Sequence, residues 1–204
     1  MTSCCNMKAI GCILFILALN SCTNKSKPSL NSNLDIVYFE DFDTTILQEL
    51  KLDLKKFYGI HTVSSKFEKL PLSAYYKPRN RYRADSLIKH LISCKTQSNN
   101  LVLGLCKKDI SVSIHNANDW GVFGFAYCPG NSCVVSSFRL KKDSLPGYYT
   151  RLKNVVIHEI GHNLGLNHCQ DSLCLMVDAK GKMSSIEGSN RKLCLNCQQF
   201  INGK

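Results

Sequence analysis

The strongest chemical signal in the sequence is a group of three histidines and a glutamate in one short segment. It reads VVIHEIGHNLGLNHC. On a helix, His158 and His162 are one turn apart and project from one face, so both can bind one Zn²⁺ with Glu159 beside them. Gly165 lets the chain leave helical geometry and turn back. His168 can then complete a three-histidine zinc site that keeps an open position for water.

Four cysteines and a methionine follow the histidines in an ordered pattern. Cys169 adjoins the third histidine, Cys174 and Met176 form a CxM motif, and Cys194 and Cys197 form a CxxC motif. Together, HExxHxxGxxHC, CxM and CxxC resemble the signature of the archaemetzincin family of zinc metallopeptidases. Every defining position of that signature is present.

The resemblance extends upstream of the histidines and covers about residues 34–200. Segments 103–110 and 122–126 (VFGFA) are similar to family segments that precede the active-site helix, with Cys106 in place of a more usual threonine. The resemblance implies an α+β, zincin-like domain. Such a domain has a mixed β-sheet with helices, an active-site helix, a Met-turn and a smaller C-terminal part with a structural zinc.

The resemblance also implies a role for each residue of the histidine motif. His158, His162 and His168 would bind the catalytic zinc, Glu159 would be the general acid/base, and Met176 would form the Met-turn beneath the metal. The implied activity is hydrolysis of peptide bonds by a metal-activated water. Endopeptidase and aminopeptidase action both remain open. For Met176, plain packing in the core is the alternative.

By the same resemblance, four cysteines bind a second, structural zinc. They are Cys169, Cys174, Cys194 and Cys197. Two close pairs of thiolates separated by a long loop also suit a closed tetrahedral site on physical grounds. The alternative for Cys194 and Cys197 is a redox dithiol, which usually opens a helix in a thioredoxin-like unit, and no such unit precedes the motif. Two zinc ions per chain are therefore expected.

Strands and helices must precede these motifs to position them. Apolar runs predict strands over 34–40, 60–64, 101–105, 122–127 and 133–138. The strand over 122–127 would run along the cleft, where an extended peptide could pair with it. Helices are predicted from a cap at Asp43 or Thr44 to Phe57 and over 82–93, with a loop over 71–78 and a tight turn over 129–132.

Other cysteines and histidines carry weaker predictions. The remaining cysteines of the domain are Cys94, Cys106, Cys128 and Cys133. In an exported protein, Cys128 and Cys133 could face each other across the tight turn, within reach of a disulfide. His61, His90 and His115 each stand alone and are expected to be ordinary surface or core histidines.

The N-terminal residues have the layout of a lipoprotein signal peptide over 1–21. Lys8 precedes an apolar run over 9–19 that is too short to cross a membrane as a helix. The sequence LNSC that follows resembles a bacterial lipobox and predicts acylation of Cys22. Residues 22–33 would be a polar tether and 34–204 the metallopeptidase domain. We therefore expect an exported lipoprotein, periplasmic or at the cell surface, with a cytoplasmic location as the alternative.

Composition narrows the function classes. A chain of 204 residues with 44% hydrophobic residues can bury one core and is neither disordered nor collagenous. The net charge of +11 would suit nucleic acid or an anionic membrane as a partner. However, the basic residues are dispersed and lack an RNA-binding aromatic signature. We expect a monomer with a peptide or protein substrate, a lipid anchor and no nucleic acid. A non-catalytic, zinc-bound scaffold or peptide-binding lipoprotein is the alternative, and the intact Glu159 argues against it.

Overall fold

The computed structural model describes residues 32–40, 42–114, 117–140, 145–187 and 191–203. Within these ranges the chain forms nine strands and four α-helices. The strands are β1 (Asn33–Phe39), β2 (His61–Glu68), β3 (Tyr75–Tyr76), β4 (Arg81–Arg83), β5 (Leu101–Cys106), β6 (Ile110–Ile114), β7 (Ala117–Val122), β8 (Gly124–Ala126) and β9 (Ser132–Ser136). The helices are α1 (Leu47–Tyr58), α2 (Ala84–Ser93), α3 (Leu145–Asn163) and α4 (Leu195–Asn202).

The main sheet has five strands in the order β2-β1-β5-β9-β8. β1 is parallel to β2 and to β5, β5 is parallel to β9, and β8 is antiparallel to β9. Every residue of the central strand β5 is buried, as its uninterrupted apolar sequence requires of a strand covered on both faces. The predicted mixed sheet in an α+β fold is therefore confirmed.

Alternate residues of the main sheet enter two separate core layers. In β1, Leu34 and Ile36 belong to the layer that contains the buried residues of α1 and α3. Val37 and Phe39, one residue out of phase, belong to the layer that contains those of α2. Successive side chains of a strand point to opposite faces, so α3 and α2 cover opposite sides of the sheet.

Helix α1 begins close to where the sequence predicts. Asp43 accepts a hydrogen bond from the backbone N–H of Thr45 at 3.0 Å and caps a short 3₁₀ segment, Thr44–Ile46, that leads into α1. Gly59 ends the helix in the left-handed region with φ 66°. The helix crosses from β1 to β2, which lie side by side in parallel.

A second sheet, in the order β3-β4-β6-β7, differs from the sequence prediction. The segment predicted as a loop over 71–78 contains β3 between two 3₁₀ turns. The strand predicted over 122–127 is two strands: β7 ends at Val122 and pairs with β6, whereas β8 starts at Gly124 and pairs with β9. The chain changes sheets at Phe123, and the prediction of one continuous strand is wrong.

The turn between β8 and β9 also corrects the predicted disulfide. The register places Ala126 opposite Cys133, so Cys128 lies beyond the paired residues. Cys133 is fully buried, whereas the exposed Cys128 thiol donates to the carbonyl oxygen of Leu166 at 3.2 Å. Neither thiol takes part in a disulfide, so the predicted Cys128–Cys133 disulfide is wrong.

The predicted signal peptide, including Cys22, lies outside the described residues. So does most of the tether over 22–33, whose final residue opens β1. Among the helices of the described residues, none is both long enough and apolar enough to cross a membrane.

Candidate metal centres

The C-terminal end of α3 turns sharply because of Gly165. This residue has φ 91° and its N–H donates to the carbonyl of His162 at 2.8 Å, while the N–H of Leu166 donates to the carbonyl of Gly161 at 2.9 Å. These two bonds form a Schellman motif, which satisfies the last carbonyls of a helix and reverses the chain. The turn returns His168 to the face of α3 that carries the other two histidines.

The three histidines meet as the motif predicts. The donor nitrogens of His158, His162 and His168 all lie within 4.8 Å of one another. The Nε2 atoms of His158 and His162 are 3.0 Å apart. Tetrahedral zinc with Zn–N bonds of about 2.0–2.1 Å places its nitrogens about 3.3 Å apart, so a small adjustment of the rings accommodates the ion.

Hydrogen bonds hold two of the rings in the tautomer that a metal needs. Nδ1 of His158 is 2.7 Å from the carbonyl oxygen of Leu175, and Nδ1 of His162 is 2.7 Å from that of Leu166. Each Nδ1–H can donate to its carbonyl and leave Nε2 free as a ligand. Burial, with the neighbouring His162, lowers the pKa of His158 to about 4. The ring is therefore neutral at pH 7.

Glu159 is buried against the strand β8. The residue is 7% exposed, and burial raises the pKa of its carboxyl group to about 8. A Cβ atom on Gly124 would lie 2.6 Å from both Cγ and Oε1 of Glu159. Only glycine leaves room for the carboxyl group at this point. This role of Gly124 is not recognisable from the sequence, where the VFGFA motif is its only signal.

Met176 is fully buried. A Cβ on Gly161 would be 2.6 Å from its Sδ, so this glycine allows the methionine to pack directly against α3. The carbonyl of Met176 accepts a hydrogen bond from the N–H of Cys169 at 2.8 Å. The methionine therefore packs in the core, and it also connects the turn to the residue that follows His168.

The four cysteines of the C-terminal pattern form a second cluster. Their sulfur atoms lie within 4.8 Å of one another, with Cys169 and Cys194 at 3.7 Å and Cys174 and Cys197 at 3.8 Å. Tetrahedral zinc with Zn–S bonds of about 2.3 Å has S–S edges of about 3.8 Å. The cluster can therefore hold zinc with no remaining open position.

Backbone groups support this cluster from two sides. The N–H groups of Cys194 and Met176 lie 3.3 Å and 3.5 Å from the sulfur of Cys174. Cys194 is also the residue directly before α4, so the CxxC motif does open a helix. A helix start alone would also suit a redox dithiol, but two further thiols complete a tetrahedral set and favour metal.

A cleft of about 440 Å³ opens in front of the histidines. One wall is formed by residues 120–126, which include β8, and the other by residues 177–181 together with 185 and 186. His158, Glu159, His162 and His168 line it between these walls. β8 is an edge strand whose second side has no partner strand among the described residues.

Two asparagines on α3 join the helix to the two walls. The Nδ2 group of Asn163 donates to the carbonyls of Tyr127 at 3.2 Å and Ser132 at 3.0 Å, and its backbone carbonyl accepts from the N–H of Gly130 at 3.1 Å. Nδ2 of Asn154 donates to the carbonyl of Ile186 at 3.0 Å on the opposite wall. Neither asparagine is recognisable from the sequence, because their partners are distant along the chain.

Other residues singled out in the sequence lie elsewhere. His61 is exposed at the start of β2, and His115 and Cys22 lie outside the described residues. His90 is not isolated, since it lies beside Cys94.

Nitrogen and sulfur donors at these separations select zinc, and the two clusters differ as catalytic and structural zinc sites do. A buried carboxyl group beside the open histidine cluster, in a cleft with a free strand edge, matches the needs of peptide hydrolysis. The class defined by this fold and site is a zinc-dependent metallopeptidase.

Comparison with known proteins gives the family. The model of Peptidase family M54 matches residues 36–202. An archaemetzincin of Methanopyrus kandleri is 31% identical over 158 residues, which are 78% of this chain and 87% of that protein. One of Halobacterium salinarum is 28% identical over 177 residues, 82% of this chain and 98% of that protein. The chain belongs to this family, the archaemetzincins.

Solved structures agree with this assignment. The crystal structure of the archaemetzincin of Methanopyrus kandleri matches with a TM-score of 0.75 and 28% identity, covering 85% of this chain and 94% of that one. The archaemetzincin of Archaeoglobus fulgidus, complexed with malonate, matches with a TM-score of 0.69 and 26% identity, covering 83% of this chain and 99% of that one. The protein is thus a zinc metallopeptidase with one cluster able to hold a catalytic zinc and one able to hold a structural zinc.

Proposed function

We propose that Glu159 is the general acid/base of a peptidase whose catalytic zinc is bound by His158, His162 and His168. The observation that carries this proposal is the position of the Glu159 carboxyl group, buried beside the three histidines and lining the same cleft. A purely structural histidine site has no need of such a group. In this proposal Met176 is the Met-turn residue that supports the histidines from below.

The residues divide the chemistry between them. Zinc, when bound, supplies a Lewis acid that acidifies water towards a pKa of about 7 and polarises the peptide carbonyl. In its ionised form, which the positive charge of a bound zinc ion would favour against the effect of burial, Glu159 accepts a proton from water as the water oxygen bonds to the carbonyl carbon. It then delivers that proton to the leaving nitrogen as the C–N bond breaks. The neutral imidazoles leave the charge of the ion undiminished, so it can stabilise negative charge on the carbonyl oxygen.

β8 is proposed to bind the substrate main chain. Its residues line the cleft, its outer side has no partner strand in the described part of the chain, and an extended peptide can add to such an edge through backbone hydrogen bonds. Gly124 on this strand also contacts Glu159. A peptide paired with β8 would therefore lie next to the acid/base group.

Glu159→Gln tests this function. The amide keeps the shape of the side chain but cannot accept the proton, so peptide hydrolysis should fall by about 10²–10⁴-fold. Both zinc ions should remain, as measured by elemental analysis. Profiling of new N-termini in cells that carry wild-type or Glu159→Gln protein would then identify substrates. Hydrolysis by the variant at the wild-type rate would contradict the mechanism, and partner binding without cleavage by either protein would favour the scaffold alternative.

We also propose that the protein is an exported lipoprotein that acts as a monomer. Support comes from the sequence alone: Lys8, the apolar run over 9–19 and the lipobox-like residues that end at Cys22. The multiple acyl chains of a bacterial lipoprotein give firm membrane attachment, which a single chain does not. Mass spectrometry of the N-terminus should find acylated Cys22 in cells. An unmodified Met1 or Met7 would overturn this proposal and leave the peptidase proposal intact.

A further inference from the structure

A third group of metal-binding side chains lies apart from both zinc clusters. It consists of Glu68 at the end of β2 and of His90 and Cys94 at the end of α2. One donor atom from each residue lies within 4.8 Å of the other two. From the sequence, His90 is predicted to be an ordinary histidine, because its partners on α2 and β2 cannot be recognised together from spacing alone.

The two residues at the end of α2 have the separation that a shared metal requires. His90 and Cys94 are four positions apart, which puts them on one helix face. Nε2 of His90 is 3.7 Å from Sγ of Cys94. Tetrahedral zinc with Zn–N and Zn–S bonds of about 2.05 and 2.3 Å has an N–S edge of about 3.6 Å. The ion would therefore need little movement of either side chain.

Glu68 reaches the same place through the register of the sheet. It pairs with Phe39 of β1, whose side chain enters the core layer containing the buried residues of α2. Paired residues of neighbouring strands point to the same face, so Glu68 also faces α2.

Asp35 fixes the chain that leaves α2. It accepts hydrogen bonds from the N–H of Thr96 at 2.8 Å and from Nδ2 of Asn100 at 3.0 Å, and a further one from Ser64 of β2. The buried carboxylate thereby joins the loop after Cys94 to the two strands beside Glu68. The chain directly after Cys94 is therefore held in place before any ion binds.

The charges around the cluster favour a cation on balance. Cys94 is the C-terminal cap of α2, where the helix dipole places partial negative charge. Burial, together with the charge of Glu68, raises the pKa of the Cys94 thiol. A bound ion would displace its proton. The competing cation is Lys66, whose Nζ is 3.0 Å from Oε1 of Glu68, but a carboxylate has a second oxygen for another partner.

We propose that Glu68, His90 and Cys94 form a third metal site that binds a first-row transition dication such as Zn²⁺. One thiolate, one imidazole and one carboxylate are a donor set that suits zinc and disfavours Mg²⁺ or Ca²⁺. Water would complete the coordination, since Glu68 and His90 are both partly exposed. The bound ion would join β2 to α2, on the side of the sheet opposite to α3.

Cobalt provides a direct test on the whole protein. Protein that carries two zinc ions per chain is titrated with Co²⁺, and bound metal is counted by elemental analysis after excess ion is removed. A third equivalent should bind with the near-ultraviolet absorption of a thiolate–cobalt bond, which the three-histidine site cannot produce. Because even indirect supporting groups contribute about 10–100-fold to metal affinity, Cys94→Ser and His90→Ala should each weaken Co²⁺ binding by at least about 100-fold.

Matched variants separate ligation from packing. Glu68→Gln, at a side chain that is one third exposed, should weaken binding without unfolding the protein. Lys66→Met should strengthen it, because the competing ammonium group is removed. Two controls should leave the affinity for Co²⁺ unchanged. They are His61→Ala, at an exposed histidine, and Cys106→Ser, at a buried thiol of the α2 core layer. The proposal would be overturned if no third equivalent of Co²⁺ bound, or if a third equivalent still bound after loss of Cys94 and His90. An equal loss of Co²⁺ affinity in Cys106→Ser would also overturn it.

Discussion

The histidine and cysteine clusters are built from one stretch of chain, yet they differ in the number of metal-coordination positions that they leave open. His168 and Cys169 are consecutive residues, one in each cluster. The histidine cluster has three ligands, faces a cleft and has a carboxyl group beside it, whereas the cysteine cluster has four ligands and two of them are buried. The number of ligands, more than the identity of the ion, therefore separates a site for chemistry from a site for stability.

Removal of a histidine ligand should have the largest effect. His158→Ala deletes one of three ligands and should reduce hydrolysis to the uncatalysed background, a loss of more than about 10⁴-fold. The cysteine cluster should keep its ion, so elemental analysis should find one zinc per chain. His61→Ala is the matched control and should keep two. Loss of both ions from His158→Ala would mean that the two centres are not independent.

Removal of a cysteine ligand should instead lower the stability of the fold. Cys197→Ser should release the structural zinc and lower the free energy of unfolding by several kcal/mol, because zinc-binding energy is folding energy at a closed site. Thermal unfolding with and without a chelator measures this loss. Cys128→Ser, at an exposed thiol outside the cysteine cluster, should keep both ions and the wild-type melting temperature. Wild-type protein that holds only one zinc would refute the second centre.

Gly124→Ala should affect the carboxyl group and spare both metals. The added Cβ would displace Glu159, so hydrolysis should fall by about 10–100-fold, equivalent to about 1.4–2.7 kcal/mol of activation free energy. Both zinc ions should remain. Steady-state kinetics should show the loss in kcat, since the reacting group is misplaced while the free edge of β8 persists. An unchanged kcat would show that the contact with Gly124 does not position Glu159.

The smallest effect is expected at the end of α3. Gly165→Ala places a side chain at φ 91° and should cost about 1–2 kcal/mol of stability. That corresponds to a fall in melting temperature of roughly 2–8 °C for a chain of this size. Gly165→Asn should cost less, because asparagine tolerates the left-handed region. Equal effects of alanine and asparagine would contradict the conformational explanation.

Features set by short-range spacing could be predicted from the sequence. The helical repeat fixed His158 and His162 on one face, and the glycine three residues later indicated the turn to His168. Strands β1, β5 and β9 were likewise predicted from three apolar runs, because a strand covered on both faces is mostly apolar.

Features set by contacts between distant segments could not be predicted. β6 and β7 were missed because their strands contain Ser111, Ser113, Asn118 and Asp119, which break the apolar pattern. The close approach of Gly124 to Glu159 depends on how β8 packs on α3, and the cluster of Glu68, His90 and Cys94 depends on sheet register. Neither leaves a local pattern in the sequence.

The hydrogen bonds of Asn163 bear on which wall of the cleft can change its preference for substrate residues. Its three hydrogen bonds fasten the end of the metal-carrying helix to the turn beyond β8, so the ligands and the proposed docking strand form one inflexible half of the groove. We expect variation in residue preference to arise from the facing half, residues 177–181 with 185 and 186, which is joined to α3 through the bond from Asn154 to the backbone carbonyl of Ile186. Exchange of this segment between family members should transfer residue preference, and exchange of β8 should not.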